Sequence, residues 1–356
     1  MMYYENPTQI DTLQLDHTSR CNLGCPQCAR MWDNGKSLNP AMPIADLTVD
    51  DYKILLEPFE DNKLELFHCG NFGDVIASPT FDETYEYSID RIRRMKIATN
   101  GSARKPEWWR DLAQRGGKKN LFIFAFDGLE DTNHLYRVGA NWKKAIENAQ
   151  AYINAGGIAH WNFIEFEHNY HQIDEARQMA TDMGFSKFSV KYTARFAERN
   201  EEKIITKKGI EIKDREKNRN QKIIKEIKKE YPSFEEYTTK TIIECKFKQT
   251  NHFFVDMKMR AWPCCWFGAP KYFAHKTPQT DDFNHFFNLY GDDFNDMRKH
   301  GWDVLKHEFF AEYLERSWNK PDDKYKRIYT CGRTCGKTFD FSSGYGKNFN
   351  QEELKK

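Results

Sequence analysis

Runs of apolar residues, separated by more polar stretches with helical character, dominate the first half of the chain. The apolar runs predict six β-strands, over residues 12–17, 64–70, 95–101, 120–128, 160–167 and 185–193. Between them, "TVDDYKILLEPF", "PEWWRDLAQRG" and "NWKKAIENAQAYINAGG" predict helices, and the last of these ends on glycines that suit a helix C-terminus. The pattern is therefore one of strands that alternate with helices.

The spacing of these elements predicts the fold class. Successive predicted strands lie mostly about 25 to 50 residues apart, which suits parallel pairing through right-handed crossovers. Six such units predict an α/β fold with a partial (β/α)6 TIM-type barrel. In barrels of this kind the chemistry lies at the carboxyl ends of the strands. The residues at these ends are Cys21, Gly70, Asn100, Asp127 and Glu167.

Composition narrows the class of protein. Of the 356 residues, 30% are charged and 15% are aromatic, as expected for a soluble globular protein. The formal net charge of +1 gives no general attraction to nucleic acid or to membranes. The N-terminus lacks a secretion signal, and no apolar run of about 18 residues occurs. We therefore expect a cytoplasmic protein that has neither a membrane nor a nucleic acid as its partner.

Cysteine is the informative residue type in this chain. Structural disulfides are disfavoured in a reducing compartment, and an odd count of nine leaves one thiol over in any full pairing. The cysteines are Cys21, Cys25, Cys28, Cys69, Cys245, Cys264, Cys265, Cys331 and Cys335. Three cluster at the front and five lie near the back, which predicts two metal sites on separate parts of the chain. Cys69 is interpreted as a bystander.

The front group, "CNLGCPQC", places three thiolates in one tight turn. Soft sulfur ligands select zinc or an iron–sulfur cluster. Zinc needs four ligands, and His17 or Cys69 could complete such a site. A [4Fe–4S] cube held by three cysteines leaves one iron open to a substrate or cofactor. The cluster is the favoured hypothesis, and a group of buried thiols is the plain alternative.

The chain resembles a known family at this point. A C-x3-C-x2-C motif after the first strand, followed by "GNFGD", "TNGSAR" and "FDGLEDTNHLYR" after the next three, resembles the radical S-adenosylmethionine (radical SAM) superfamily. The resemblance is to the branch that carries an auxiliary cluster. It implies that Cys21, Cys25 and Cys28 hold a [4Fe–4S] cluster whose open iron binds S-adenosylmethionine. Reductive cleavage of that cofactor would give a 5′-deoxyadenosyl radical that abstracts a hydrogen atom from the substrate.

The resemblance also assigns roles to residues that contact the cofactor. Gly73 and Asp74 match the family's Gly-Glu pair, so Asp74 would accept from the methionine ammonium. Arg137 would pair with the methionine carboxylate, and Thr99 or Asn100 would reach the ribose. The competing interpretations are a surface arginine at the start of a helix for Arg137 and a simple turn at position 100.

The rear cysteines resemble the ligands of twitch and SPASM modules in the same superfamily. The resemblance implies an auxiliary [4Fe–4S] cluster held by Cys245, Cys264, Cys331 and Cys335 in a small C-terminal domain. Cys265 is an alternative to Cys264, since adjacent residues cannot easily both face one iron. Four protein ligands would close the cluster, which suits an electron relay or a structural role. A zinc site is the competing interpretation.

These parts predict a division of the chain. We expect a radical SAM partial barrel over residues 1–196, a charged helical linker or insertion over 197–243, the auxiliary-cluster domain over 244–340 and a loose tail over 341–356. A solvated helix is expected within the linker, where Ile223, Ile224, Ile227 and Tyr231 recur at near-helical spacing.

The resemblance implies an oxidoreductase-like enzyme with a flavodoxin- or ferredoxin-type reductant. The expected substrate is a small polar metabolite, which it oxidises or otherwise modifies. The alternatives are a peptide or protein maturase and a non-enzymatic iron–sulfur or zinc protein. Because the first cysteine is residue 21, we expect no fused leader-recognition domain, which weakens the peptide alternative without removing it, since such a domain can be a separate protein. Candidate substrate contacts are His160, Glu165, Lys191 and Tyr192, for which buried polar packing is the alternative.

Overall fold

A computed structural model describes residues 3–59, 63–193, 195, 203–214, 219–272, 277–337 and 351–353. Its strands are β1 Thr12–Leu15, β2 Met31–Trp32, β3 Ser37–Leu38, β4 Glu65–His68, β5 Arg94–Thr99, β6 Asn120–Ala125, β7 Ile158–Ile164, β8 Lys187–Lys191, β9 Lys203–Ile205, β10 Glu211–Lys213, β11 His252–Val255, β12 Ala261–Trp262 and β13 Gln351–Glu353. Its α-helices are α1 Val49–Leu56, α2 Phe81–Ser88, α3 Pro106–Gly116, α4 Asn133–Tyr136, α5 Trp142–Asn154, α6 Ile173–Met183, α7 Arg219–Glu230, α8 Phe234–Lys240, α9 Lys246–Gln249, α10 Cys265–Gly268, α11 Pro278–Tyr290, α12 Met297–His300, α13 Leu314–Asn319 and α14 Tyr329–Cys335.

The main sheet has the order β12-β11-β1-β4-β5-β6-β7-β8-β13. The strands β1, β4, β5, β6, β7 and β8 lie side by side in chain order and pair in parallel. Parallel neighbours need a crossover connection, and α1 to α6 lie in those connections. These strands are the six that the apolar runs predicted, so an α/β fold with a parallel sheet is confirmed.

Local sequence explains where the predicted helices begin and end. The Thr48 hydroxyl accepts from Asp51 N–H while the Asp51 carboxylate accepts from Thr48 N–H, and this capping box starts α1. Pro106 occupies the first turn of α3, where its missing N–H costs nothing. Gly117 follows α3 with a φ of +51°, a conformation that favours glycine. The helices predicted in these two places are therefore confirmed.

One face of the sheet packs against the crossover helices and forms the core. Alternate strand residues such as Leu13, Leu66, Ile97 and Phe122 are fully buried there. Trp109 from α3 lies with its ring centre 5.2 Å from that of Phe122. Truncating a buried tryptophan of this kind typically costs about 3 to 5 kcal/mol.

The alternating residues on the opposite side form what we call the second face. It comprises Thr12, Gln14, Asp16, Glu65, Phe67, Cys69, Arg94, Lys96, Ala98, Leu121, Ile123, Ala125, Ile158, His160, Asn162, Ile164, Lys187, Ser189 and Lys191. Most of its members on β5, β7 and β8 are only half-buried, in contrast to the residues on the helix side. Several of these members are polar and partly accessible, so this face can contact a ligand, and β6 adds the buried apolar residues Leu121 and Ile123 to it.

The structure differs in two ways from the expected division into a barrel, a linker and a C-terminal domain. The sheet continues past the linker, because β11 pairs in parallel with β1 from Thr12 to Leu15, and β12 pairs with β11. The linker is not wholly helical, because β9 and β10 form an antiparallel hairpin within it. This hairpin buries Ile204 and Ile212 against the front cysteine loop, so a charged segment still supplies core residues.

The remaining linker and tail predictions have mixed outcomes. In α7, Ile227 is buried, and Tyr231 packs edge-on against Tyr237 at 5.2 Å, so an amphipathic helix is present. The side chains of residues 223 and 224 lie outside the described residues. In the expected loose tail, β13 pairs antiparallel with β8, and the rest of 341–356 lies outside the described residues. Across the described ranges, none of the helices has the length and apolar character needed to span a membrane.

Candidate functional site

The loop that follows β1 carries the three front cysteines. Cys25 is buried, and Cys21 and Cys28 are half-buried. A turn joins the second and third cysteines, since Cys28 N–H donates to Cys25 O at 3.0 Å. All three pack against one apolar cluster, whose buried members include Leu23, Tyr136, Phe166, Ile204 and Ile212. The structure thus brings the three predicted ligands into one apolar setting.

These surroundings favour the protonated form of two front thiols, those of Cys21 and Cys25. Burial raises the pKa of Cys21 to about 12, and Asp74, Cys25 and Cys28 add to the rise. Burial also raises the pKa of Cys25, although Arg137 opposes this rise. A coordinated metal ion deprotonates a thiol, and the thiolate is the ligand form. These neighbouring thiols ionise readily only when a metal cation binds them. They are therefore a set of donors that fits iron.

The same loop contains buried polar atoms without partners. Gln27 is 1% exposed, and neither its amide oxygen nor its amide nitrogen has a hydrogen-bond partner among the described residues. Arg30 Nε is also buried without a partner there, although the guanidinium donates to Leu23 O. Buried polar groups are normally paired. These orphaned atoms are a second sign that the loop fits a bound group.

A site for one metal ion, such as zinc, needs its ligands to converge on a single point, unlike the site of a four-iron cluster. In the described ranges, no three His, Cys, Asp or Glu side chains are grouped so that they could hold one metal ion. A four-iron cluster binds each cysteine through a different iron, so its ligands need not meet at one point. This result therefore bears on the zinc alternatives and not on the clusters.

Asp74 is the centre of a hydrogen-bond network after β4 and β5. Its Oδ2 accepts from Thr99 Oγ1 at 3.0 Å, from Asn100 N at 2.8 Å and from Asn100 Nδ2 at 2.6 Å. Its Oδ1 accepts from Ile76 N at 3.2 Å. Burial raises the pKa of Asp74, although these hydrogen bonds oppose the rise. Spare acceptor capacity remains only on Oδ1, since a carboxylate oxygen has two lone pairs.

This network reaches the cysteine loop. Asn100 Nδ2 lies 3.7 Å from Cys21 Sγ and donates to Asn22 Oδ1 at 2.9 Å. Asp74 N–H also donates to Arg20 O at 2.8 Å. At Gly73 a Cβ atom would lie 2.2 Å from Thr18 O, so the two segments can approach only because this residue is glycine. The predicted residues Gly73, Asp74, Thr99 and Asn100 therefore lie together beside the first cysteine.

Arg137 lies on the Cys25 side of the loop. Its Nε donates to Asp127 Oδ2 at 2.5 Å, and its side chain is 17% exposed. Burial alone would lower the pKa of the guanidinium, but the Asp127 carboxylate reverses this effect and raises it. Asp127 is itself fixed, because its Oδ1 accepts from Ile164 N at 2.8 Å. The interpretation of Arg137 as a surface residue is therefore wrong.

The rear cysteines interact as a group of four. A hydrogen bond with Cys335, together with burial, raises the pKa of Cys245 well above its usual range. Burial also raises the pKa of Cys264 well above its usual range, and the neighbouring Cys265, Cys245 and Cys331 contribute to the rise in that order. Tyr3 Oη lies 3.8 Å from Cys245 Sγ at the edge of this group. The structure thus brings together Cys245, Cys264, Cys331 and Cys335.

Cys265 faces a different group, which the sequence did not reveal. Burial raises its pKa to about 12, the charge of Asp16 adds to this, and Asn71 forms a hydrogen bond with the thiol. Asp16 Oδ1 accepts from Asn71 N at 2.8 Å and from Cys69 Sγ at 3.5 Å. Burial raises the pKa of Asp16 to about 7 despite these hydrogen bonds. The available signal was a single acidic residue at the end of the apolar run "LQLDH".

A cavity of about 320 Å³ opens beside the first cysteine. Its polar lining includes Arg20, Cys21, Asn22 and Arg30, and its apolar lining comes from residues 38–44. Ligand pockets usually measure about 300 to 1,000 Å³. The cavity can therefore admit a small molecule, or part of one, next to the thiol of Cys21.

Comparisons with known proteins identify the fold. No protein-family profile matches the chain. A tungsten-containing aldehyde ferredoxin oxidoreductase cofactor-modifying protein from Pyrococcus furiosus is 27% identical over 129 residues. That match covers 36% of this chain and 33% of the relative, so the chain matches about a third of the relative's length.

Solved structures match over much more of the chain. Streptococcus suis SuiB bound to S-adenosylmethionine has a TM-score of 0.50 and 15% identity, covering 90% of this chain and 77% of SuiB. SuiB bound to its precursor peptide SuiA has a TM-score of 0.50 and 16% identity, covering 90% of this chain and 76% of that one. This chain has the fold of SuiB. The fold that the cysteine motif and its resemblance led us to expect is thus shared with a protein solved with S-adenosylmethionine bound.

Proposed function

We propose that this protein is a radical SAM enzyme that modifies its substrate by hydrogen-atom abstraction. The observation that carries the proposal is the convergence of Cys21, Cys25 and Cys28 with the Asp74 network, in a chain with this fold. The orphaned amide of Gln27 and the cavity beside Cys21 support a bound group at this place.

In this proposal, Cys21, Cys25 and Cys28 hold a [4Fe–4S] cluster and the cavity beside them admits S-adenosylmethionine. When bound, the cluster and this cofactor together supply reductive cleavage and the hydrogen abstraction that follows. Arg137 offsets the negative charge of the Cys25 thiolate, because it already lies beside that sulfur. Asp74 orients Asn100 toward the first cysteine and offers Oδ1 to an ammonium group.

The proposal extends to the C-terminal part of the chain. We assign Cys245, Cys264, Cys331 and Cys335 to an auxiliary [4Fe–4S] cluster in a twitch- or SPASM-like module beside a partial (β/α)6 barrel. The mutual interactions of these thiols support that ligand set. Four ligands close the cluster and suit an electron relay. A flavodoxin- or ferredoxin-type protein would be the reductant.

A small polar metabolite is the proposed substrate, which is favoured by the polar, partly accessible residues that β5, β7 and β8 contribute to the second face. Oxidation or another modification that begins with hydrogen abstraction is the proposed reaction class. A peptide or protein substrate is the second candidate. It is favoured by the similarity to SuiB, which was solved with its precursor peptide SuiA.

The test is formation of 5′-deoxyadenosine by anaerobically reconstituted protein with dithionite as reductant. Wild type should form this product, and Cys25→Ala should not, since it removes one of three cluster ligands. Cys69→Ala is the matched control, because Cys69 is a half-buried cysteine outside both ligand sets. The proposal fails if wild type, with its front cluster intact, leaves S-adenosylmethionine uncleaved. Equal cleavage by Cys25→Ala would also overturn it.

A further inference from the structure

Arg30 is a buried cation in the wall of the cavity beside Cys21. It is 8% exposed, and its guanidinium donates to Leu23 O. Its Nε is buried without a partner among the described residues, and no carboxylate in that part of the chain pairs with it. Arginine is seldom buried unless an opposite charge accompanies it. The structure therefore leaves one positive charge unbalanced at this cavity.

A second arginine lines the same cavity, and a carboxylate fixes its position. Arg20 Nε donates to Asp46 Oδ2 at 2.8 Å, and the Arg20 side chain is 46% exposed. Asp46 is held in turn, because its Oδ1 accepts from Thr18 Oγ1 at 2.6 Å and from Ser78 Oγ at 2.9 Å. The two Nη groups of Arg20 make no hydrogen bond within the described ranges. Arg20 thus has donors to spare, although Asp46 offsets its charge.

The rest of the lining suits a ligand that has an anionic group and an apolar part. Among the described residues that line the cavity, none is an aspartate or a glutamate. Apolar contacts are offered by Leu38, Met42, Pro43 and Ile44. Leu38 and Ile44 are exposed, so a ligand can reach them from solvent.

Asn39 fastens this apolar segment to the cysteine loop. Its N–H donates to Arg30 O and its Nδ2 to Ala29 O, both at 2.8 Å. The same Nδ2 donates to Tyr272 O at 2.7 Å, and Oδ1 accepts from Ala41 N at 2.9 Å. Asn39 is 5% exposed, and its whole amide is hydrogen-bonded. The wall of the cavity is therefore formed before any ligand enters, which lowers the cost of binding.

We propose that Arg30 and Arg20 bind a carboxylate in this cavity, with the apolar segment 38–44 against the rest of the ligand. Arginine forms paired, charge-assisted hydrogen bonds with a carboxylate, which carries the single negative charge that is missing here. A phosphate group at neutral pH carries about two negative charges. Two molecules can supply the carboxylate, S-adenosylmethionine and the substrate. Naming either one rests on the proposed function, whereas the site itself does not.

Equilibrium dialysis with radiolabelled ligands tests the site without turnover. Anaerobically reconstituted protein, without reductant, is dialysed against S-adenosylmethionine, against its decarboxylated analogue, or against succinate with S-adenosylmethionine at saturation. Arg30→Gln removes the charge and keeps an amide donor for Leu23 O. It should weaken binding of the carboxylate ligand by about tenfold, as expected for the loss of a hydrogen bond from a charged donor. Binding is expressed per front cluster, from iron analysis of each sample, so that loss of the cluster is not counted as loss of affinity.

The three probes show which carboxylate the site holds. If it is that of the cofactor, Arg30→Gln weakens S-adenosylmethionine and spares the decarboxylated analogue. If it is that of the substrate, the variant weakens succinate alone. Arg20→Met, at a more exposed side chain, should weaken the same probe by about threefold, since Asp46 already offsets part of the charge.

Arg110→Met is the matched control, at an arginine of α3 whose side chain is 52% exposed, and it should change none of the affinities. The site is overturned if Arg30→Gln and Arg20→Met leave all three affinities unchanged, or if wild type binds none of the probes. Equal weakening of S-adenosylmethionine and its decarboxylated analogue by Arg30→Gln would also overturn it, because Arg30 would then serve the loop or the cluster. Dithionite added to the same samples separates the two proposals, since wild type that binds S-adenosylmethionine but leaves it uncleaved contradicts the proposed function alone.

Discussion

Asp16 gives a prediction whose size can be worked out from the structure. Its carboxyl group is 1% exposed at the end of β1 and receives hydrogen bonds from Asn71, Cys69 and Phe72. Burial outweighs these hydrogen bonds and raises its pKa from 3.8 to about 7. The folded chain therefore keeps this proton at pH values where the unfolded chain has released it.

The sign and magnitude of the effect follow from this difference. A raised pKa stabilises the folded chain fully below pH 3.8, and this contribution is lost as the pH rises toward about 7. Each pKa unit corresponds to 1.36 kcal/mol, so the whole effect is roughly 4 kcal/mol. Between pH 5 and pH 8, the share attributable to Asp16 is roughly 3 kcal/mol. Asp16→Asn removes the titrating group while keeping its shape.

Urea denaturation of wild type and Asp16→Asn, both without clusters, measures this share at pH 5 and at pH 8. The difference in unfolding free energy between the two chains should move by roughly 3 kcal/mol in favour of the variant as the pH rises. Taking the difference cancels the contributions of the other carboxylates, including Asp282, whose pKa burial raises to about 6. Asp50→Asn, at a side chain that is 85% exposed, controls for the Asp-to-Asn exchange itself. The reasoning would be refuted if the difference in unfolding free energy between wild type and Asp16→Asn were the same at pH 5 and at pH 8.

Three further predictions concern the candidate sites. Asp74→Ala should lower the free energy of unfolding by roughly 2 to 4 kcal/mol, because it leaves buried donors unpaired, whereas Asp74→Asn keeps an acceptor and should cost about half as much. Urea titration measures both, and equal losses would argue against the network. Cys264→Ala should remove about four irons and Cys265→Ala none, and the reverse result by iron analysis would exchange their assignments. Gly73→Ala should destabilise the chain by about 2 kcal/mol or more, because its Cβ would lie 2.2 Å from Thr18 O, and an unchanged thermal midpoint would contradict this.

Local patterns in the sequence were sufficient for the six parallel strands and for helices such as α3. Each of these elements is a continuous run whose apolar spacing and caps lie within a few residues. The strand β11 was missed because "HFFV" is short and follows a charged segment. Its place in the sheet depends on pairing with β1, about 240 residues away in the chain, which no local pattern encodes.

The candidate site divides in the same way. Spacing alone grouped the front cysteines, and the resemblance placed Asp74 and Asn100 beside them. Spacing could not decide whether Cys264 or Cys265 joins the other rear cysteines, because this depends on the local backbone conformation. Cys264 is extended, with φ −164° and ψ 165°, and Cys265 begins α10. Asp16 was missed because its neighbours, Cys69 and Asn71, come from the end of a different strand.

Iron content tests the central claim most directly. Wild-type protein reconstituted anaerobically is compared with a Cys21/Cys25/Cys28→Ala triple variant by iron and sulfide analysis. Two four-iron clusters predict about eight irons for wild type and about four for the variant. If wild type instead holds about four irons and the variant holds none, the rear cysteines hold no cluster, and the proposed electron relay is wrong.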